Sequence, residues 1–349
     1  MIRLTRRELL VDGARASVLG AASSLLPPAA AGLGPSGSTT EARPPAVSNS
    51  GDAYVHFDAA TQAWSCGTNL IEQRLQLSEG KFSLAALTNR LTGSEYVAGR
   101  VFNKKDEGPA DTNLLAPRAY VGAIGSDEFH FLFGGREYSG HSGGYKLRDF
   151  QIMCMPVPKA SPGIEPGVTL VVNLEHPFFL ISLHYDVFAS TPRTQLGMIR
   201  KWYQVTNRTE QVQPLTGISM NRLLLRPEDS QRFTLYSWVG GGAGKDTNLL
   251  QSESLSHTKA RTFYSMSGQP DYRADDVYDG SSSYHPYFVL EDPKAGDGVF
   301  FGFNYLGPWS VRIWNPGDHM LRTEGARFPV QSQLELHTEP LKPGITFEV

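Results

Sequence analysis

The segment Val168 to Glu175 reads Val-Thr-Leu-Val-Val-Asn-Leu-Glu, with an apolar side chain at every second position. Val168, Leu170, Val172 and Leu174 fall on one side, and Thr169, Val171, Asn173 and Glu175 on the other. A backbone whose side chains alternate between two faces is a β-strand, and in that form alone does this segment bury its apolar set together. The same logic extends along the chain. From Ala53 onward, short apolar or aromatic runs alternate with turn residues, and no stretch sustains a 3.6-residue apolar period with caps for three turns. The spacing predicts strands over Leu70 to Leu77, Lys81 to Asn89, Phe179 to Phe188, Met198 to Asn207, Leu215 to Leu225, Phe233 to Val239, Lys259 to Ser265 and Val299 to Tyr305. Near the end, Leu334 and Leu336 alternate with Gln333, Glu335 and His337 in the same way. Phe129 to Gly144 reads as a glycine-interrupted hairpin, and Asn103 to Gly125 as a long excursion. Many strands without helical crossovers predict packed antiparallel sheets, an all-β protein.

Length leaves the domain count open, because a chain of 349 residues can hold two domains while β-sandwiches run past ~200 residues as one. Residues 1–31 have the layout of a twin-arginine export signal. Arg6-Arg7 lies in a basic start, a modest apolar run spans Ala16 to Leu26, and Ala29-Ala30-Ala31 supplies small residues at cleavage spacing. The apolar run is too short and broken to span a membrane. Residues 32–50, rich in Pro, Gly, Ser and Thr, read as a flexible leader, and residues 51–349 as the folded domain. The expected location is periplasmic or secreted. A net charge of −3 provides no long-range field to attract nucleic acid or an acidic membrane surface, so neither is an expected partner. Two cysteines, Cys66 and Cys154, are too few for a zinc knuckle or a disulfide framework; one bridge or two thiols both remain open.

Several constellations invite a catalytic reading and fail on chemistry. In Val239 to Asp246 a valine stands where a phosphate loop needs its first glycine, and Asp246 where it needs the hydroxyl that binds magnesium. Ser281 to Ser283 beside His285 have no strand-turn-helix elbow and no placed acid. The nine histidines show no His-x-His or His-Glu-x-x-His spacing. The pairs Glu228-Asp229, Asp275-Asp276 and Glu291-Asp292 lie beside turn signals and read as solvated turn charges. No catalytic residue, metal ligand or cofactor is therefore assigned. Aromatic residues with a polar tip remain, because they can stack on the C–H face of a sugar ring. Trp202, Trp238, Trp309, Trp314, Tyr284, Tyr287 and Tyr305 belong to this group. Trp202 lies mid-strand and reads as core, whereas Trp309 and Trp314 lie near loop ends beside Pro308 and Pro316.

Five segments in order carry a family resemblance: Tyr236-Ser-Trp238 with its glycine-rich turn to Lys245-Asp246; Ser265; Gly280-Ser-Ser-Ser-Tyr-His285-Pro-Tyr-Phe288; Phe301-Gly-Phe-Asn-Tyr305; and Leu341-Lys-Pro-Gly-Ile-Thr-Phe347. Together they resemble the amino-terminal domain of glycoside hydrolase family 36, the bacterial α-galactosidases or melibiases, over nearly all of residues 53–349. Departures are present: His285 falls two places later than the family's usual histidine, and Ile345 stands where glutamate is usual. The resemblance implies a large antiparallel β-supersandwich, galactose-mutarotase-like, preceding a catalytic (β/α)8 barrel whose two aspartates perform retaining hydrolysis. Neither a Lys-Trp-Asp strand end nor an acid-bearing glycine-rich loop occurs here, and Lys201-Trp202 is followed by Tyr203.

The expectation is thus an exported, carbohydrate-associated domain that does not hydrolyse glycosides alone, with an α-galactoside and a barrel, in cis or in another chain, as partners. His285, Trp309, Trp314 and Tyr305 are the expected sugar contacts. A stand-alone glycan-binding module is the alternative. A mutarotase- or lyase-like enzyme is a further one; it requires a histidine and a carboxylate or tyrosine converging in one groove.

Overall fold

The computed structural model describes residues 47–97, 126–155, 165–190, 197–225, 233–239, 249–255, 260–264, 284–302, 310–314, 321–327 and 346–348. These residues form strands and their connections, with no helix among them. In chain order the strands are β1 (Val47–Ser50), β2 (Ala53–Asp58), β3 (Ala63–Gly67), β4 (Ile71–Ser78), β5 (Lys81–Asn89), β6 (Ser126–Asp127) and β7 (His130–Phe133). Next come β8 (Arg136–Ser139), β9 (Lys146–Cys154), β10 (Glu165–Glu175), β11 (Phe179–Ala189), β12 (Met198–Asn207), β13 (Leu215–Leu225) and β14 (Thr234–Val239). The last are β15 (Leu249–Ser254), β16 (Ala260–Tyr264), β17 (Tyr284–Asp292), β18 (Asp297–Gly302), β19 (Ser310–Trp314), β20 (Leu321–Arg327) and β21 (Thr346–Glu348). The bounds of β5, β12 and β13 coincide with those read from the alternation of apolar residues.

A 12-stranded sheet runs β1-β2-β3-β4-β5-β6-β13-β20-β19-β16, with β7 and β8 attached through β13. A 5-stranded sheet runs β21-β12-β11-β10-β9, and a 4-stranded sheet β15-β14-β17-β18. The described pairings are antiparallel, as the expected all-β architecture requires. Val168, Leu170, Val172 and Leu174 of β10 are wholly buried, and so are Ile181, Leu183, Tyr185 and Val187 of β11. These positions form the inner face of the 5-stranded sheet, which lies against the 12-stranded one. Phe150 of β9 meets Trp64 of β3 at 5.7 Å between ring centroids, and Phe131 of β7 meets Phe179 of β11 at 5.2 Å. Aromatic side chains thus fill the space between the two sheets, which accounts for the large number of Phe and Tyr.

The β7–β8 hairpin turns on Gly134 and Gly135, both with positive φ (60° and 76°). A two-residue turn with left-handed geometry at both positions matches the twist of the strands it joins, and glycine enters it without strain. The 4-stranded sheet is tied to the rest by Asp297, whose Oδ2 accepts hydrogen bonds from Asn89 (3.3 Å) and Thr92 (2.5 Å) after β5. Phe288 and Leu290 of β17 join the common apolar core.

Some local readings are corrected. Residues 47–50, expected in the leader, form β1 and pair with β2. The choice left open between one bridge and two thiols resolves to two free thiols, Cys66 buried and Cys154 exposed. Asp292 is not a solvated turn charge: it is 2% exposed, and its carboxylate accepts the backbone N–H groups of Lys294 and Ala295. A buried carboxylate here caps the turn that links β17 to β18.

Candidate functional site

The 4-stranded sheet presents an aromatic outer surface, which follows from strand alternation. In β14, Leu235 and Ser237 are buried while Thr234, Tyr236 and Trp238 take the opposite positions. In β17, Phe288, Leu290 and Asp292 are buried and Tyr287, Val289 and Glu291 alternate with them. Leu250, Ser252 and Ser254 of β15 and Gly298, Phe300 and Gly302 of β18 are exposed on the flanking strands. Cross-strand register then lines up Trp238 with Leu250, and Tyr236 and Phe300 with Val289 from either side.

The rings form a continuous row. Trp238 and Tyr287 lie 5.3 Å apart between centroids, and Tyr287 and Phe300 lie 6.4 Å apart. Phe300 is 67% exposed and Leu250 52%, both high for side chains of their size and apolarity. Tyr236 donates its hydroxyl to Glu291 Oε2 at 2.6 Å, and this bond pushes the phenol pKa up. Burial pushes that of Tyr287 up as well. Hydroxyls of Thr234, Ser252 and Ser254 stand on the same outward positions, and Glu291 is the one carboxylate among the described residues there. The described outward strand positions carry no Lys or Arg. Such a surface offers π faces to C–H groups and a hydroxylated margin to hydrogen-bonding groups.

A second polar cluster lies between the sheets and contains the histidine and carboxylates that acid–base chemistry would need. Asp127 of β6 is fully buried and contacts His141 through Oδ1, which accepts from the His141 backbone N–H (3.2 Å) and meets its Nδ1. Nearby, Tyr185 donates to Glu128 Oε2 at 2.6 Å, and Lys201 Nζ donates to the Glu128 carbonyl at 2.9 Å while lying 3.3 Å from Oε2. His130 meets Glu137 at 2.6 Å. Burial depresses the Lys201 ammonium, with Glu128 pulling in the opposite direction, and burial beside Glu128 raises the Tyr185 phenol well above its usual value. Apart from Glu137, which reaches solvent, this cluster is enclosed: the side chains of Asp127 and His141 are 0% and 7% exposed. It binds the 139–145 loop to β6 and β12 to the segment entering β7, in agreement with an architectural role.

An open depression of about 570 Å³ is lined by Asn49, Gly51, Asp52, Tyr54 and Asn69. Its acid is already occupied. Burial opposes ionisation of Asp52, but hydrogen bonds from Ser190, one of them the backbone N–H at 2.7 Å, hold its pKa below the usual value. Tyr54 likewise donates to Glu72, which also pairs with Arg90 at 2.9 Å.

The residues expected to contact sugar are not gathered by the described structure. His285 belongs to β17 in the 4-stranded sheet and Trp314 ends β19 in the 12-stranded sheet, and their side chains lie outside the described residues. Tyr305 and Trp309 lie outside them too, as do Ser281 to Ser283 and the glycine-rich turn. Trp238 and Tyr287, both among the aromatic candidates, are brought together, and Phe300 and Tyr236 extend their row. Phe300 is not among the aromatic candidates read from the sequence; strand alternation separates it from Phe301, one out and one in. Trp202 differs from its expected core placement. It is half-buried on the outer face of the 5-stranded sheet and stacks on His184 at 3.5 Å and 8°.

No protein-family model matches the chain. No curated protein matches it either. Among solved structures, a galactose mutarotase-related enzyme from Lactobacillus acidophilus aligns at 11% identity and a TM-score of 0.38, covering 82% of this chain and 94% of that one. A galactose mutarotase-like protein from Lactobacillus casei aligns at 12% identity and a TM-score of 0.39, covering 85% and 97% respectively. At these identities and TM-scores no residue role passes from them to this chain.

Proposed function

We propose that this chain is an exported, carbohydrate-associated β-sandwich domain, of the kind that accompanies the barrel of family 36 α-galactosidases, and that it holds a glycan without cleaving it. The observation that carries this reading is the outward row of half-buried Trp238 and Tyr287 and exposed Phe300, with its margin of hydroxyls. Sugar rings have C–H faces that pack on aromatic rings and equatorial hydroxyls that reach polar side chains beside them. Retaining hydrolysis needs two carboxyl groups about 5–5.5 Å apart across the scissile bond. The described outward strand positions offer Glu291 alone, and its Oε2 is engaged by Tyr236. Among the described residues the outward strand positions therefore have the chemistry to bind and lack the pair to cut. A barrel, in the same protein or another chain, would supply the hydrolysis.

Titration calorimetry of the purified chain with galactose, melibiose and raffinose, beside an assay for release of galactose from the latter two, tests both halves. Heat of binding without product is the expected result. Silence with all three at millimolar sugar removes the binding claim, and sustained turnover in a clean preparation removes the claim that the chain is not hydrolytic.

A further inference from the structure

We infer that the outer face of the 4-stranded sheet takes an uncharged glycan chain lying flat across the strands, with three consecutive sugars over Trp238, Tyr287 and Phe300. This deepens the binding function proposed above and rests on it. The three rings belong to three successive strands, β14, β17 and β18, with centroids 5.3 and 6.4 Å apart. Strands stand ~4.8 Å apart, and an extended glycan advances by about the same distance per sugar, so successive rings meet successive sugars. The row continues to Phe300 on β18, which is 67% exposed, so the face is a platform along which a chain can extend. A monosaccharide would cover one ring of the row only.

The outward strand positions carry Glu291 as their one carboxylate and no Lys or Arg among the described residues. Nothing there neutralises an anionic sugar, and Glu291 repels one. A neutral polyol needs only what the face supplies: rings, and hydroxyl groups on Thr234, Ser252 and Ser254. The same absence of cations disfavours phosphate-bearing ligands.

The test compares neutral α-(1→4)-linked galacto-oligosaccharides of one to five units with oligogalacturonides of matching length, by calorimetry on the full chain and its Phe300→Ala and Trp238→Ala variants. Affinity is expected to rise roughly tenfold or more between one and three units and then level off, because each added sugar covers another ring. Phe300→Ala should erase the gain from the third unit while leaving disaccharide binding and the thermal midpoint unchanged, since that ring is mostly in water. Trp238→Ala should weaken every length. Equal affinity for one and three units overturns the three-sugar platform but leaves glycan binding standing. Equal or tighter binding of the oligogalacturonides overturns the neutral-ligand assignment. Absence of binding to every neutral oligomer overturns the glycan reading itself. Reversible self-association in sedimentation that Phe300→Ala abolishes would reassign the face to contacts between proteins, and so would also overturn the proposal.

Discussion

Replacing Lys201 by methionine tests whether the buried cluster is architectural. The substitution keeps most of the side-chain volume but removes the ammonium that lies 3.3 Å from Glu128 Oε2 and donates to the Glu128 carbonyl at 2.9 Å. Glu128, whose side chain is 2% exposed, then keeps only the Tyr185 hydroxyl among its described hydrogen-bond partners. Breaking a buried pair by deleting one partner costs ~3–5 kcal/mol, because the other charge stays buried without its counter-charge. The expectation is therefore a loss of ~3 kcal/mol, with Glu128→Gln restoring most of it in the Lys201→Met background. Urea unfolding followed by tryptophan fluorescence measures it. A loss under ~1 kcal/mol, or no recovery with Glu128→Gln, would refute the reasoning.

Three other outcomes are expected. Burial pushes the Cys66 thiol up to about 12, so a thiol reagent at neutral pH should label Cys154 alone in the native chain and both cysteines after unfolding; rapid labelling of both in the native state would contradict the packing of β3. The Tyr185 and Tyr145 phenols are raised above the ordinary value of 10.0 mainly by burial, so their contribution is complete below pH 10 and lost as the pH climbs toward their folded-state values. The thermal midpoint should fall above pH 10, with tyrosinate absorbance rising together with unfolding; free titration of all tyrosines in the folded chain would be inconsistent with this core. Fusing residues 1–31 to a reporter tests the export signal: Arg6→Lys with Arg7→Lys should retain the reporter in the cytoplasm, and export unaffected by the double change would remove the twin-arginine assignment.

Period-two patterning located much of the described fold. Where one face of a strand is buried against another sheet, as in Val168 to Leu174, the alternation is sharp; β10 nevertheless starts earlier, at Glu165, across a register irregularity that the alternation does not show. The platform was half legible for the same reason. Trp238 and Tyr287 were visible as amphipathic aromatics, but their adjacency depends on β14 pairing with β17 across a long connection, which no local pattern encodes. Phe300 follows from strand phase alone, since adjacent residues of a strand face opposite sides and Phe301 is the more buried of the two. Trp202 shows the reverse error: a mid-strand position says nothing of which face it takes, and pairing with His184 places it outside. The interior cluster was the least legible, because Asp127, Glu128, His141, Tyr185 and Lys201 are scattered along the chain and converge only when the sheets stack.

The central claim is that the ring row on the 4-stranded sheet receives a glycan. With ¹⁵N-labelled tryptophan there are five indole signals to assign by substitution, so titration with a neutral galacto-oligosaccharide reports directly on location. The account predicts a saturable shift of the Trp238 indole whose midpoint moves to higher trisaccharide concentration in Phe300→Ala, with the Trp64 and Trp202 signals unmoved. A saturable shift at Trp202 with Trp238 unmoved, or no shift at any of the five at millimolar oligosaccharide, would contradict it.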